Sequence, residues 1–197
     1  LYHKWIREWG FDQKAILDAC AETTKGDPSF KYLDGILNGI RSRSDARTGD
    51  QVKKQLEKEN TLKEQYVQVF ENFKFKTSPA AARRLYTQWL QIVPHEVMVL
   101  ASRTFSRSGG NLEDFQALLE EWQKKGLVTE KETSAYLFRV REENTLLREI
   151  FTACGYQARP TEKDRLLLQK WRGMGMNDDL LLQAAQQARM AEGSKLS

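Results

Sequence analysis

The chain contains little cysteine. Cys20 and Cys154 are its two cysteines among 197 residues, and neither lies within the short spacing of a metal site. The sequence therefore offers no cysteine framework for a zinc module or for a small disulfide-linked scaffold. Both residues lie in helical patterns, and we expect them to be buried free thiols in a reducing compartment.

Long apolar runs are also absent. No segment approaches the roughly 18 apolar residues that span a bilayer, and no basic-then-apolar secretory signal stands at the N-terminus. The expectation is a cytoplasmic protein without a transmembrane segment. Because the chain starts at Leu1, inside an amphipathic pattern, we also expect it to be a fragment of a longer polypeptide.

The sequence is poor in groups that catalyse reactions. His3 and His95 are the only histidines, and neither has a Cys, Asp or Glu partner at a recognisable spacing. The turn at Gly173–Gly175 lacks the Lys-Ser/Thr that follows a phosphate-binding loop. Asp178 and Asp179 stand where carboxylates favour a helix N-terminus, so they do not require a metal ion. We expect neither enzymatic activity nor a cofactor.

The composition is that of a helical globular protein. Hydrophobic residues make up 40% of the chain and charged residues 29%, with only four prolines. No segment alternates apolar and polar residues between hairpin turns, so the predicted fold class is all-α. The 31 Lys and Arg against 27 Asp and Glu give a net charge of +4. This favours anionic partners only weakly, because both signs are interspersed along the chain.

The sequence repeats with a period of about 80 residues. LYHKWIREWGF at Leu1–Phe11 resembles LYTQWLQIV at Leu85–Val93, and LLLQKWRGMGM at Leu166–Met176 keeps the same apolar face. FKYLDGILNGI at Phe30–Ile40 matches LEDFQALLEEW at Leu112–Trp122 in its apolar positions. Since the apolar positions agree while the polar ones drift, the copies are predicted to share one type of core.

Two charged amphipathic helices are predicted between these copies, over about 51–73 and 130–151. Both contain ENTL, at Glu59–Leu62 and at Glu143–Leu146, which are 84 residues apart. The chain is therefore predicted to be a tandem array of helical modules, each of about four to five helices. Residues 1–50 form the C-terminal part of a first module, 51–128 a complete second module, and 129–197 the N-terminal part of a third, truncated module.

Capping residues mark the predicted helix starts. Side chains that accept hydrogen bonds from a first helical turn precede the apolar runs, and Thr129 with Glu132 has capping-box spacing. The predicted caps are Asp12, Ser29, Asn111, Thr129 and Asn177.

The run WGFDQKAILDACAETTKGDPSFKYLDGIL, from Trp9 to Leu37, resembles the C-terminal domain of the DnaD family. This family, also called the DnaB-like replication initiation and membrane attachment family, belongs to low-GC Gram-positive bacteria and their phages. The resemblance continues through the chain as tandem DnaD-like copies. It implies a non-enzymatic protein of primosome assembly that binds DNA, associates with itself, and contacts the initiator or helicase-loading machinery.

The marker of this family, Tyr-x-x-x-Ile-x-x-x-Trp, is linked with single-stranded DNA binding. Tyr32 and Ile36 match it in the first copy, where Ile40 takes the tryptophan position; in the second copy Trp122 matches and Asp114 takes the tyrosine position. Helical spacing alone leaves two interpretations open. Tyr32 and Trp122 either pack in a core stripe or contact a partner.

Basic residues follow both copies of this helix. Beside an exposed aromatic edge they would form a charged, stacking surface for a single strand. The alternative is a solvated helix end whose cations complement the helix dipole. A weaker basic set comprises Arg83, Arg84, Arg103 and Arg107. The predicted DNA-binding residues are Lys31, Tyr32, Arg41, Arg43, Arg47, Lys53, Lys54, Trp122, Lys124 and Lys125.

Two functions stay open on the sequence. The first is an accessory protein of DNA replication initiation. It would bind DNA nonspecifically, with single strands favoured, and bind initiation or helicase-loading proteins and further copies of itself. The second is a protein-interaction scaffold of replication or phage origin that does not bind DNA. A continuous positive face would favour the first function, and an exposed apolar patch the second.

Overall fold

The structure, a computed structural model, describes residues 1–24, 26 and 28–193, and for Arg107, Ser108 and Glu192 only the backbone. Lys25, Asp27 and the last four residues of the third predicted module, 194–197, lie outside the described residues. The described residues form helices and no strand, which confirms the all-α fold class. A π-helical turn at Lys4–Glu8 precedes α1 (Gln13–Thr23), α2 (Phe30–Arg43), α3 (Gly49–Phe70), α4 (Pro79–Trp89), α5 (His95–Ser108), α6 (Leu112–Lys124), α7 (Glu130–Ala153), α8 (Glu162–Gly173) and α9 (Asp178–Gly193).

The helices form two compact units. The first comprises residues 1–91 and 102–111, and the second comprises residues 92–101 and the chain from Leu112 onward. These units are defined by contacts between helices, whereas the predicted modules are defined by sequence similarity. The module boundaries at 50 and 128 therefore stay a prediction.

Local hydrogen bonds explain where the helices begin. Asp12 Oδ1 accepts a hydrogen bond from the amide of Ala15 at 2.6 Å, which satisfies one of the donors that a first helical turn leaves unpaired. The long charged helices α3 and α7 both start after a threonine cap. The other predicted caps that the structure confirms are Ser29, Thr129 and Asn177.

The core of the first unit forms between the π-helical turn and helices α1, α2 and α3. Leu33, Leu37 and Ile40 recur at the spacing of one helical face, and that face of α2 is buried. Ala15 and Ala19 give α1 a small-residue surface, and Val52 of α3 belongs to the same core. The remaining buried members of this core are Trp5, Trp9, Phe11 and Ile16.

The second unit has a comparable core. The apolar face of α6 is buried at Phe115, Leu119 and Trp122. Helix α7 packs on α8 and α9. The buried side chains at that contact are Leu146, Leu147, Ile150, Leu168, Leu181 and Ala185.

Asp34 ties α2 to the π-helical turn. Its Oδ1 accepts hydrogen bonds from the Trp5 indole at 2.7 Å and from Lys4 Nζ at 3.3 Å. The bond from Trp5 is the largest cause that lowers the pKa of Asp34, and Lys4 adds to it against the opposing effect of partial burial.

Replacing Asp34 with Asn is expected to lower the free energy of unfolding by about 1–2 kcal/mol at pH 7, since both bonds lose their charge. The pKa of Asp34 is lower in the folded chain than in the unfolded one. Its contribution is therefore complete above the unfolded value of about 3.9 and is lost as the pH falls through the folded value. Urea titrations at pH 7 and pH 3 measure the free energy of unfolding of the original chain and of Asp34→Asn. The difference between the two proteins should shrink at pH 3, and an unchanged difference would show that charge is not its cause.

Candidate nucleic-acid interface

Helix α2 lines a groove in the first unit with its marker residues. Tyr32, Ile36 and Arg43 border this groove, because their spacing places them on one face of the helix. The groove has a volume of about 330 Å³. Helices α1, α3 and α4 complete its charged and aromatic lining with Glu22, Glu59, Lys63, Tyr66 and Arg83.

Two tyrosines border the groove. Tyr32 is 43% exposed, so part of its ring is accessible, and Tyr66 is half-buried. Sequence reasoning did not identify Tyr66 or the exposed Lys63 as candidates. The signal that could have found them is the spacing of Leu56, Glu59, Lys63 and Tyr66, which recur three or four residues apart along one side of α3.

A carboxylate holds the two arginines of the groove. Arg43 donates from Nε to Glu59 Oε1 at 2.9 Å and from Nη2 to Glu59 Oε2 at 2.8 Å. Arg83 Nη1 lies 3.9 Å from the same Oε2, and the Gln55 amide donates to Oε1 at 3.2 Å. The bidentate contact between Arg43 and Glu59 is the strongest common form of an arginine contact. Glu59 therefore offsets part of the positive charge that Arg43 and Arg83 bring to the groove.

The other predicted cations of the first unit lie in different surroundings. Arg41 follows Tyr32 by nine residues, which places it on the opposite side of α2, over the ring of Trp9 at 5.2 Å. Arg47 lies over Phe11 at 5.1 Å and donates to two backbone carbonyls of its own loop. Both arginines thus have structural contacts. The predicted cations that are simply exposed are Lys31, Lys53 and Lys54.

The weaker basic set is also divided. Arg83 of α4 lines the groove, whereas Arg84 and Arg103 are exposed elsewhere on the first unit. The side chain of Arg107 lies outside the described residues. This set therefore adds one cation to the groove.

The predicted residues of the second unit have other roles. Trp122 is 3% exposed and meets Tyr136 edge-on, with ring centroids 6.4 Å apart, so its ring offers no face to a base in this conformation. Lys125 bonds to Glu121 and, at 2.9 Å, to Glu162. These two bonds, that to Glu121 first, raise the pKa of Lys125, and Lys125 in turn lowers the pKa of Glu162. The remaining predicted residue, Lys124, is exposed.

Metal-ligating side chains and thiols are the remaining candidates for a chemical site. Among residues 1–24, 26 and 28–193, no three His, Cys, Asp or Glu side chains form a group that could hold a metal ion. Cys20 and Cys154 are free cysteines, each half-buried. No helix within the described part of the chain is long and apolar enough to cross a bilayer.

Comparison with known proteins gives no relative. The chain matches no family model, no curated protein and no solved structure. The resemblance to the DnaD family therefore rests on the sequence motifs quoted above and stays a prediction.

Proposed function

We propose that the chain is a tandem array of DnaD-like helical modules that serves DNA replication initiation as a non-enzymatic accessory protein. Burial at corresponding positions of the repeat supports the array. Ala15, Leu37 and Ile40 of the first copy are buried, and so are their counterparts Val97, Leu119 and Trp122. Contacts with initiation or helicase-loading proteins and self-association belong to the same proposal.

The groove of the first unit is the observation that supports DNA binding. It brings the rings of Tyr32 and Tyr66 together with three cations, Arg43, Lys63 and Arg83, which outnumber its two carboxylates, Glu22 and Glu59. Proteins that bind single strands without sequence preference combine such aromatic faces, on which bases stack, with a positively charged groove that follows the backbone. Base stacking requires unpaired bases, so single strands are the favoured ligand. The exposed Lys53, three residues before the groove residue Leu56, extends the charge along α3, whereas Lys54 is nine residues from Lys63 and therefore lies on the opposite side of that helix.

A salt titration tests this proposal. Fluorescence anisotropy would compare labelled single- and double-stranded oligonucleotides of equal length at ~50 and ~200 mM salt. Single strands should bind more tightly, and the affinity should fall steeply as salt rises. Replacing Lys53 and Lys63 together with Ala should reduce the slope of log K against log salt by about 1.4, since each lost phosphate contact on a single strand removes about 0.7.

The control replaces two exposed lysines of the second unit, Lys163 and Lys170, with Ala. It makes the same change in net charge at a distance in sequence from the groove. If both double variants flatten the slope equally, net charge alone governs binding. The groove would then not be the interface.

A protein-interaction scaffold is the second candidate, and exposed apolar side chains of the second unit favour it. Met174 is 62% exposed and Leu180 is 49% exposed, whereas the corresponding residues of the first copy, Trp9 and Ala15, are buried. Apolar side chains that are exposed where the first copy buries its counterparts suit a protein partner. A scaffold would show no DNA binding at ~50 mM salt. It would associate with itself or with another protein through these side chains, and Leu180→Glu would weaken that association.

A further inference from the structure

A second groove, of about 290 Å³, lies within the second unit, between the end of α6 and helices α7 and α8. Glu143 of α7 lines it and is only 2% exposed. Its Oε1 accepts a hydrogen bond from the Gln169 amide at 2.9 Å. Its Oε2 is buried and has no hydrogen-bond partner among the described residues. Burying a carboxylate oxygen without a partner is costly, so this atom marks a place where a donor would bind favourably.

The first unit contains the counterpart of Glu143, and its contacts show which group binds a carboxylate at this position of the repeat. Glu143 and Glu59 occupy the same position of the repeated ENTL tetrapeptide. Glu59 takes the guanidinium of Arg43 with both of its oxygens, at 2.9 and 2.8 Å. The position corresponding to Arg43 in the second copy is Lys125, the third residue after Trp122 as Arg43 is the third after Ile40. A guanidinium is therefore the group that fits this carboxylate.

The cations of the second groove are engaged elsewhere. Lys125 bonds to Glu121 and Glu162. Arg165 donates to the side-chain oxygen of Asn144 at 3.2 Å. Arg139 lies over the ring of Tyr136, 5.8 Å from its centroid. None of these recorded contacts reaches Glu143.

The local charge permits a further cation. Three cations and two carboxylates line the groove. Glu121, which bonds to Lys125, adds a third carboxylate and balances the charge. An incoming cation would therefore meet no net positive charge. The ring of Tyr136 also lines the groove, but Lys125 and Arg139 already lie over it, 5.7 and 5.8 Å from its centroid, so the carboxylate of Glu143 is the group left for an incoming guanidinium. The six charged side chains are Lys125, Arg139, Arg165, Glu121, Glu143 and Glu162.

We propose that this groove binds the guanidinium group of an arginine side chain presented by a partner protein, with Glu143 as the carboxylate that receives it. The second unit would then use a partner's arginine where the first unit uses its own Arg43. This site is separate in sequence from the DNA groove, and it does not depend on DNA binding. A free arginine-like molecule has the same chemistry and is distinguished below.

A matched pair of variants in the 197-residue chain tests whether the buried carboxylate of Glu143 lacks a charged partner. Glutamine has the shape of glutamate and can still accept the bond from Gln169. Glu143→Gln should raise the midpoint of thermal unfolding by about 2–4 °C, because it removes a buried charge without a partner. Glu59→Gln should lower the midpoint by about 2–4 °C, because it removes the charge that pairs with Arg43. If Glu143→Gln instead lowers the midpoint as Glu59→Gln does, Glu143 already has an internal partner and the proposal fails.

A binding titration tests the ligand. The probe is N-acetyl-arginine amide, and N-acetyl-citrulline amide is its neutral counterpart of nearly the same shape. Amide NMR spectra of the full chain should show shifts at Val140 and at the side-chain amide of Gln169 with the arginine probe only. Glu143→Gln should weaken binding by about tenfold or more. Lys125→Arg should also weaken it, since the new arginine can take the place that Arg43 takes in the first unit.

Three results would overturn the proposal: equal binding of both probes, shifts that map away from the groove, or unchanged affinity in Glu143→Gln. Short peptides that carry one arginine, flanked either by glycines or by apolar residues, distinguish a partner protein from a small guanidinium compound. A protein partner predicts tighter binding of peptides than of the blocked amino acid. If no peptide binds more tightly than the blocked amino acid, the assignment to a partner protein is wrong and the site takes a small guanidinium compound.

Discussion

Trp122→Ala is expected to lower the free energy of unfolding by about 3–5 kcal/mol, the range for removing a large aromatic side chain from a packed core. Trp122 is 3% exposed and meets Tyr136 edge-on, so alanine would leave a cavity lined by the second unit's own side chains. Urea denaturation followed by far-UV circular dichroism measures the loss. Trp122→Phe is the control, since it keeps most of the buried area and should cost much less.

Tyr32→Ala should affect DNA binding strongly and stability little. Because Tyr32 is 43% exposed, its removal should change the free energy of unfolding by about 1 kcal/mol or less. It should, however, weaken single-strand binding by about fivefold to a hundredfold, the loss of one stacked base. The two positions of the family marker thus separate stability from binding. If folded Trp122→Phe loses as much DNA affinity as Tyr32→Ala, the tryptophan contacts DNA and its core position is not its only role.

The helices could be predicted because their signals are local. A cap such as Ser29 or Thr129 acts on amides two or three residues away, and the apolar period of α2 is complete within one helix. The long helices were expected over about 51–73 and 130–151 and occupy Gly49–Phe70 and Glu130–Ala153. Helix α3 begins two residues earlier than expected, where Thr48 and Gln51 form a capping box that the apolar pattern did not reveal, and it ends three residues earlier, where a turn follows Phe70.

The candidate site could be predicted only in part, because its chemistry depends on contacts between helices. The sequence placed Arg43 next to the marker, but its partner Glu59 lies 16 residues away on α3. Likewise the repeat makes Lys125 equivalent to Arg43, yet Lys125 turns to Glu121 and to Glu162 at the start of α8. Single-helix periodicity fixes which face a residue occupies. It does not fix which charged side chain of another helix stands opposite.

Glu59 should act as a restraint on DNA binding by the first unit. Its carboxylate holds Arg43 by two hydrogen bonds and lies 3.9 Å from Arg83, and both arginines line the groove. In Glu59→Gln the two guanidinium groups lose their anionic partner and become available to phosphates. Single-strand affinity should then rise by about tenfold at ~50 mM salt, and the salt slope should steepen by about 1.4, the value for two added phosphate contacts.

Glu64→Gln is the matched control for this gain. Glu64 is an exposed carboxylate on the same helix, with the same charge and no arginine partner in its recorded contacts. If both variants raise the affinity equally, the gain reflects net charge and not the release of Arg43 and Arg83. A gain confined to Glu59→Gln, and lost again when Arg43→Ala is added, would instead locate the phosphate contacts in the groove. Since Glu59→Gln is also expected to destabilise the first unit, the DNA affinities should be compared at a temperature well below the unfolding midpoint of every variant.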